Sequence, residues 1–100
     1  MNGKTLSMDD VIHELRNMKE QLRARYRVTR IGVFGSLARG EAGAESDVDI
    51  VVEMEPNLFL RAGLKAELTS RLGRPVDVIR YREGMNNHLK RRIDREACYV

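Results

Sequence analysis

An α/β (α+β) fold, a small mixed β-sheet with helices packed on one face, is predicted by three observations. Apolar residues recur at helical spacing in two long stretches, residues 8–22 and 60–72. Three short runs rich in Val and Ile, residues 29–34, 48–54 and 76–81, have the length and composition of strands. Gly35-Ser36, Pro56-Asn57 and Gly73 punctuate the boundaries between them. The resulting order is helix, strand, strand, helix, strand, helix, which suits helices laid on a small mixed sheet.

Each element has its own local cause. Ser7 is a side-chain cap, and Asp9 and Asp10 place negative charge in the first turn of a helix that ends near Tyr26. Met8, Val11, Ile12, Leu15, Met18 and Leu22 form its apolar stripe. Residues 29–34 form a strand that Gly35-Ser36 terminates, and Leu37 to Glu45 is a turn or short helical piece. Residues 48–54 are nearly continuous in apolar side chains, as expected of a buried strand. Asn57 caps the second helix, whose Leu60, Leu64, Leu68 and Leu72 lie four apart, and Gly73 ends it. Pro75 opens the third strand, residues 76–81. After Gly84, a third helix presents Met85, Leu89, Ile93 and Ala97 inward and Lys90, Arg91, Arg92 and Arg95 outward.

Bulk properties narrow the classes. One hundred residues suit one domain, 1–100, burying about two-thirds of its unfolded surface. No apolar run reaches the length of a membrane span, and no signal peptide opens the chain. The single cysteine, Cys98, excludes an internal disulfide, fits a reducing cytoplasm and reads as a packing residue near a helix end. The formal charge of +3 permits an anionic ligand. The basic residues are not interleaved with aromatics, which argues against a nucleic-acid stacking surface. His13 and His88 have no second His or Cys at ligand spacing and read as surface residues.

The chemistry concentrates between residues 33 and 52. Side chains at i and i+2 of a strand share a face, so Asp47 and Asp49 stand side by side at a strand end. Adjacent carboxylates repel unless a cation lies between them. Mg²⁺ accepts carboxylate and phosphate oxygens together. Gly35-Ser36 offers backbone N–H groups and a hydroxyl at a turn, a place suited to phosphate. Alone, Asp-x-Asp is a solvated strand end. Joined to the upstream Gly-Ser turn, it points to chemistry on a nucleoside triphosphate.

Gly35-Ser36, Arg39-Gly40, Ser46-Asp47 and Asp49 together resemble the GS…RG…SDxD signature of the DNA polymerase beta-like nucleotidyltransferase superfamily. In size the chain resembles its minimal nucleotidyltransferases, which are paired with HEPN-domain toxins. The resemblance implies the polymerase-beta-like fold and ATP as substrate. It also implies two Mg²⁺ ions held by Asp47, Asp49 and a third acid on the following strand, where Asp77 stands. Asp77 would also help accept the proton of the attacking hydroxyl, and Gly35 and Ser36 would grip the leaving phosphates. Arg39 either neutralises phosphate charge or caps the turn, and Asp77 could instead pair with an arginine. The partner implied is a HEPN-type toxin in a hetero-oligomer, with this chain as antitoxin and protein adenylyltransferase in the cytoplasm. Two rival readings are a non-catalytic scaffold that neutralises by contact and transfer to a small molecule such as an aminoglycoside. The basic face of the third helix is either a solvated face or the surface that meets the partner.

Overall fold

Residues 6–41 and 47–100 are described by the structure, a computed structural model. The Ser46 of the motif and the end of the turn predicted to reach Glu45 lie outside these residues. Helix α1 spans Met8–Tyr26. Ser7 and Asp10 cap it reciprocally: the Asp10 N–H donates to Ser7 Oγ over 3.1 Å, and the Ser7 N–H donates to Asp10 Oδ2 over 3.0 Å. Strand β1 follows at Arg30–Phe34 and β2 at Val48–Glu53. Helix α2, Leu58–Leu72, begins at an Asn57 side-chain cap and ends at Gly73, whose φ of 69° is left-handed. Strand β3 is Val76–Arg80, helix α3 is Asn87–Glu96 and strand β4 is Cys98–Tyr99.

The sheet is mixed, in the order β3-β2-β1-β4. β1 runs antiparallel to β2 and β4, while β2 and β3 run parallel, as their connection through α2 requires. One face carries Ile31, Val33, Ile50, Val52 and Val78 against α1 and α2. Val11, Leu15, Met18 and Leu22 from α1, and Leu64, Leu68 and Leu72 from α2, close this core. Glu67 of α2 ties the two helices by accepting from Arg25 over 3.0 Å and from the Tyr26 hydroxyl over 2.6 Å.

The helices α1 and α2 therefore share one face, as the mixed-sheet prediction has it. Helix α3 lies on the other, where Phe34, Val51, Met85 and Ile93 form a second, smaller core. Ile93, 1% exposed, anchors α3, and its burial contributes about 1.5–3 kcal/mol. Two boundaries differ from expectation. Met85 lies in the turn before α3, which begins only after the Asn86 side chain caps the Leu89 N–H. The chain leaves the helix at Ala97, and Cys98, which the sequence placed as a packing residue near a helix end, is exposed in β4. A two-residue strand carries no period to detect, and the pairing of Gly32 with Tyr99 and Val33 with Cys98 is what makes it one.

Candidate active site

Asp49 is the second residue of β2, between Val48 and Ile50, which point into the α1/α2 core. Strand alternation turns its carboxylate to the opposite, α3-bearing face. There it has two register partners, Phe34 of β1 and Asp77 of β3. Neighbouring strands lie about 4.8 Å apart, so Asp49 and Asp77 are adjacent on one face. Asp49 is half-buried and Asp77 exposed. Asp47 is exposed one step before β2 begins.

The electrostatics report this proximity. Burial and the neighbouring Asp77 charge, with a smaller push from Asp47, raise the pKa of Asp49 above its ordinary value, against the pull of Arg92 and Arg39. All three acids thus act on one small volume. Among the described residues, no three acidic, histidine or cysteine side chains form a ready-made metal cage. Two adjacent hard oxygen donors, with a third acid close by, suit an ion that takes its remaining ligands from phosphate and water, as Mg²⁺ does.

The turn after β1 completes the cluster. Gly35 has φ of 80°, and a Cβ added there would stand 2.9 Å from the Asp49 carboxyl carbon. Only glycine lets the backbone pass so close to that carboxylate. Hydrogen bonds from the Arg39 N–H to the Gly35 carbonyl and from the Glu41 N–H to the Ser36 carbonyl, 3.1 and 2.9 Å, hold the turn. The Gly35 N–H donates to Glu96 Oε1 over 3.1 Å. Arg39 Nη1 reaches both oxygens of the same carboxylate at 3.1 Å, while its Nε donates to Glu41 over 3.0 Å. Burial would raise the Glu96 pKa, but the donors Arg39 and Gly35 hold it below the ordinary value of 4.5. A backbone N–H and a guanidinium converging on one carboxylate make an anion-binding corner.

The structure therefore brings together Gly35, Asp49 and Asp77, with Asp47 acting on Asp49 through its charge. Ser36 is half-buried in the same turn. Arg39 is at the site, held by Glu96 and Glu41. Sequence reasoning missed two α3 residues. Glu96 is one. The other is Arg92, which the sequence placed on an outward basic face. Its guanidinium lies 5.9 Å from the Phe34 ring centre and 3.9 Å from Glu96, and its charge acts on Asp49. The four-residue spacing of Arg92 and Glu96 was the available signal, because it puts both on one flank of the helix.

Comparison with known proteins bears on this geometry. A family model described as a nucleotidyltransferase domain matches residues 15–100. The protein adenylyltransferase MntA of Thermococcus cleftensis is 37% identical over 97 residues, spanning 95% of this chain and 97% of that protein. A solved structure provisionally named a minimal nucleotidyltransferase superposes with a TM-score of 0.69 at 36% identity, covering 89% of this chain and 95% of the other. An MNT antitoxin complex with the tri-AMPylated HEPN toxin of Shewanella oneidensis superposes with a TM-score of 0.61 at 20% identity, covering 87% and 69% of the two chains. At that identity the last likeness is one of fold.

Proposed function

The chain belongs to the nucleotidyltransferase-domain family, and from that premise we propose that it transfers an adenylyl group from ATP to a HEPN-type toxin and so acts as that toxin's antitoxin. The observation that carries the reading is the in-register pair Asp49 and Asp77 with the Gly35 turn closed over Asp49. The 37%-identical relative is named a protein adenylyltransferase, and a fold neighbour is an antitoxin bound to a modified HEPN toxin. We assign the whole chain, 1–100, to one catalytic domain. No helix among the described residues is long and apolar enough to cross a membrane, and a cytoplasmic site, where ATP is abundant, fits the reaction.

Asp47, Asp49 and Asp77 would hold Mg²⁺, two ions in the full arrangement. Bound there, the metal would supply charge neutralisation for the phosphates and polarise the attacking oxygen. Ser36 would offer a donor to the pyrophosphate end of ATP, the Gly35 N–H would join it by exchanging its Glu96 acceptor for phosphate, and Arg39 and Arg92 would supply positive charge beside it. The acceptor hydroxyl oxygen forms a bond to the α-phosphorus, and the bond from that phosphorus to the bridging oxygen of pyrophosphate breaks. Asp77, exposed and beside Asp49, would take the hydroxyl proton and pass it to solvent.

The test is incubation of the purified protein with ATP, Mg²⁺ and the HEPN-type toxin from the same genome. Intact-mass measurement should show the toxin gaining one or more AMP units, matched by released pyrophosphate. An unmodified toxin under saturating ATP and Mg²⁺ refutes the reading.

A further inference from the structure

Among the described residues, β3 is an edge strand, paired only with β2. Beyond it lies a groove of about 540 Å³ between α2 and the turn that leads into α3. Its floor includes Val78, Ile79 and Met85. Arg61, Lys65, Arg80 and Arg82 stand around it, and among the described residues Asp77 is its one acid. The strand order sets Gly35, Asp49, Asp77 and the groove in a row across the sheet. In phosphoryl transfer the attacking and leaving oxygens lie roughly in line on opposite sides of phosphorus. With the pyrophosphate end of ATP at Gly35, the acceptor comes from the side of Asp77, where the groove lies.

The groove's charge says what enters it. Among the described residues, Arg61, Lys65 and Arg82 have no carboxylate partner; other surface cations such as Arg16, Arg23 and Arg95 also lack one, but only in the groove do such cations line a single concavity, together with Arg80. Arg80 donates its Nε to the Met54 carbonyl over 2.9 Å and keeps its charge uncompensated. A cationic groove of this kind draws an anionic partner. The partner is a protein rather than a bare anion, because the wall is apolar as well. Leu58, 74% exposed, lines the groove, and Phe59, 90% exposed, follows it on α2. Exposed large apolar residues beside a polar rim are typical of protein contacts.

We infer that this groove docks the protein acceptor through an acidic segment that brings its hydroxyl to Asp77. The inference rests on the transfer reading above and names the surface that reaction's second substrate occupies. It moves the acceptor contact from the basic face of α3 to the edge of β3.

The test compares wild type with the double variant Arg61→Glu/Lys65→Glu and with Arg82→Ala, whose loop position leaves the fold undisturbed. Initial rates are measured against the HEPN-type toxin, and Mg²⁺-ATP affinity by calorimetry. The KM for the toxin should rise at least tenfold in the double variant and severalfold in Arg82→Ala. The rate at saturating toxin and the ATP affinity should hold. Added salt should raise the wild-type KM more than that of the double variant. Unchanged toxin KM in both variants, with wild type active, overturns the docking inference alone. No transfer by wild type is instead the failure of the functional reading, and the inference falls with it. A parallel loss of ATP affinity assigns the groove to nucleotide. Loss of binding to a single-stranded RNA probe with toxin KM intact assigns it to nucleic acid. A change from dimer to monomer in the variants without toxin assigns it to a second copy. Each of these three results overturns the inference.

Discussion

Replacing Gly35 with alanine puts a methyl group where the Asp49 carboxylate already is. The added Cβ would overlap Asp49 Oδ2 and lie 2.9 Å from the carboxyl carbon, so the carboxylate must swing away by on the order of 1 Å. The left-handed φ of 80° adds a backbone cost of about 1–2 kcal/mol for any residue with a Cβ. The two effects separate experimentally. Gly73 also has positive φ, 69°, but nothing lies within 4 Å of its added Cβ. Gly73→Ala therefore carries the backbone cost without the clash. Both variants should lose roughly 4–8 °C in thermal midpoint per kcal/mol of that cost. Only Gly35→Ala should lose transfer, by about 100-fold, since displacements approaching 1 Å at a reacting centre cost that much. The assay is the initial rate of pyrophosphate release at saturating ATP and acceptor, beside a melting curve for each protein. If Gly35→Ala transfers as fast as Gly73→Ala, the turn does not approach the reacting atoms.

Asp47→Asn with Asp49→Asn should abolish transfer, and it should raise the melting temperature in chelator-containing buffer because the burial cost and the repulsion from Asp77 that raise the Asp49 pKa are both relieved; an active double variant would disprove the metal assignment. Arg92→Glu should weaken Mg²⁺-ATP binding about tenfold, a difference of ~1.4 kcal/mol, while Arg91→Glu, on the exposed flank of α3, should leave it unchanged in calorimetry. Glu96→Gln should lower the melting temperature by a few degrees at neutral pH. The folded-state pKa of Glu96 lies below 4.5, so its contribution is complete above that value and is lost as pH falls through the depressed pKa. The gap between wild type and Glu96→Gln should therefore close in acid, and a gap that stays constant with pH would show that the Gly35 and Arg39 contacts do not depend on its charge.

Local signals made much of this fold readable. The Ser7 and Asn57 caps, the leucines of α2 and the left-handed Gly73 are each decided within one turn of chain, and all stand as read. The adjacency of Asp49 and Asp77 is different, because it depends on the parallel register of strands separated by all of α2. Sequence offered Asp77 only as an acid in an apolar strand, and family resemblance supplied its role. The phase of α3 was misjudged at Arg92. Four basic residues so close together read as a solvated face, but with Ile93 anchored in the small core, its neighbour Arg92 is rotated only about 100° from the buried side. Glu96, three residues after Ile93, returns to that side, yet a single acid in a basic helix looked like an ordinary surface ion pair. The groove beside β3 had no motif at all, since α2, β3 and the turn before α3 each contribute a part.

The ladder from Val48↔Val76 to Val52↔Arg80 works as a ruler for the site. The separation of Asp49 and Asp77 is set by backbone pairing, not by flexible side chains, so it cannot drift in small steps. One residue inserted in β3 ahead of Asp77 would turn the acid toward Leu64 and Leu68 and place an unpaired carboxylate in the apolar core. Length changes are cheap only where no ladder bond is crossed, such as residues 54–57 before α2 and 82–86 before α3. Insertions and deletions among related chains should gather at those two joints. The second borders the groove beside β3, and the first borders a smaller hollow that shares Leu58, Arg61 and Arg80 with it, so the lengths free to vary are ones that reshape where a partner docks.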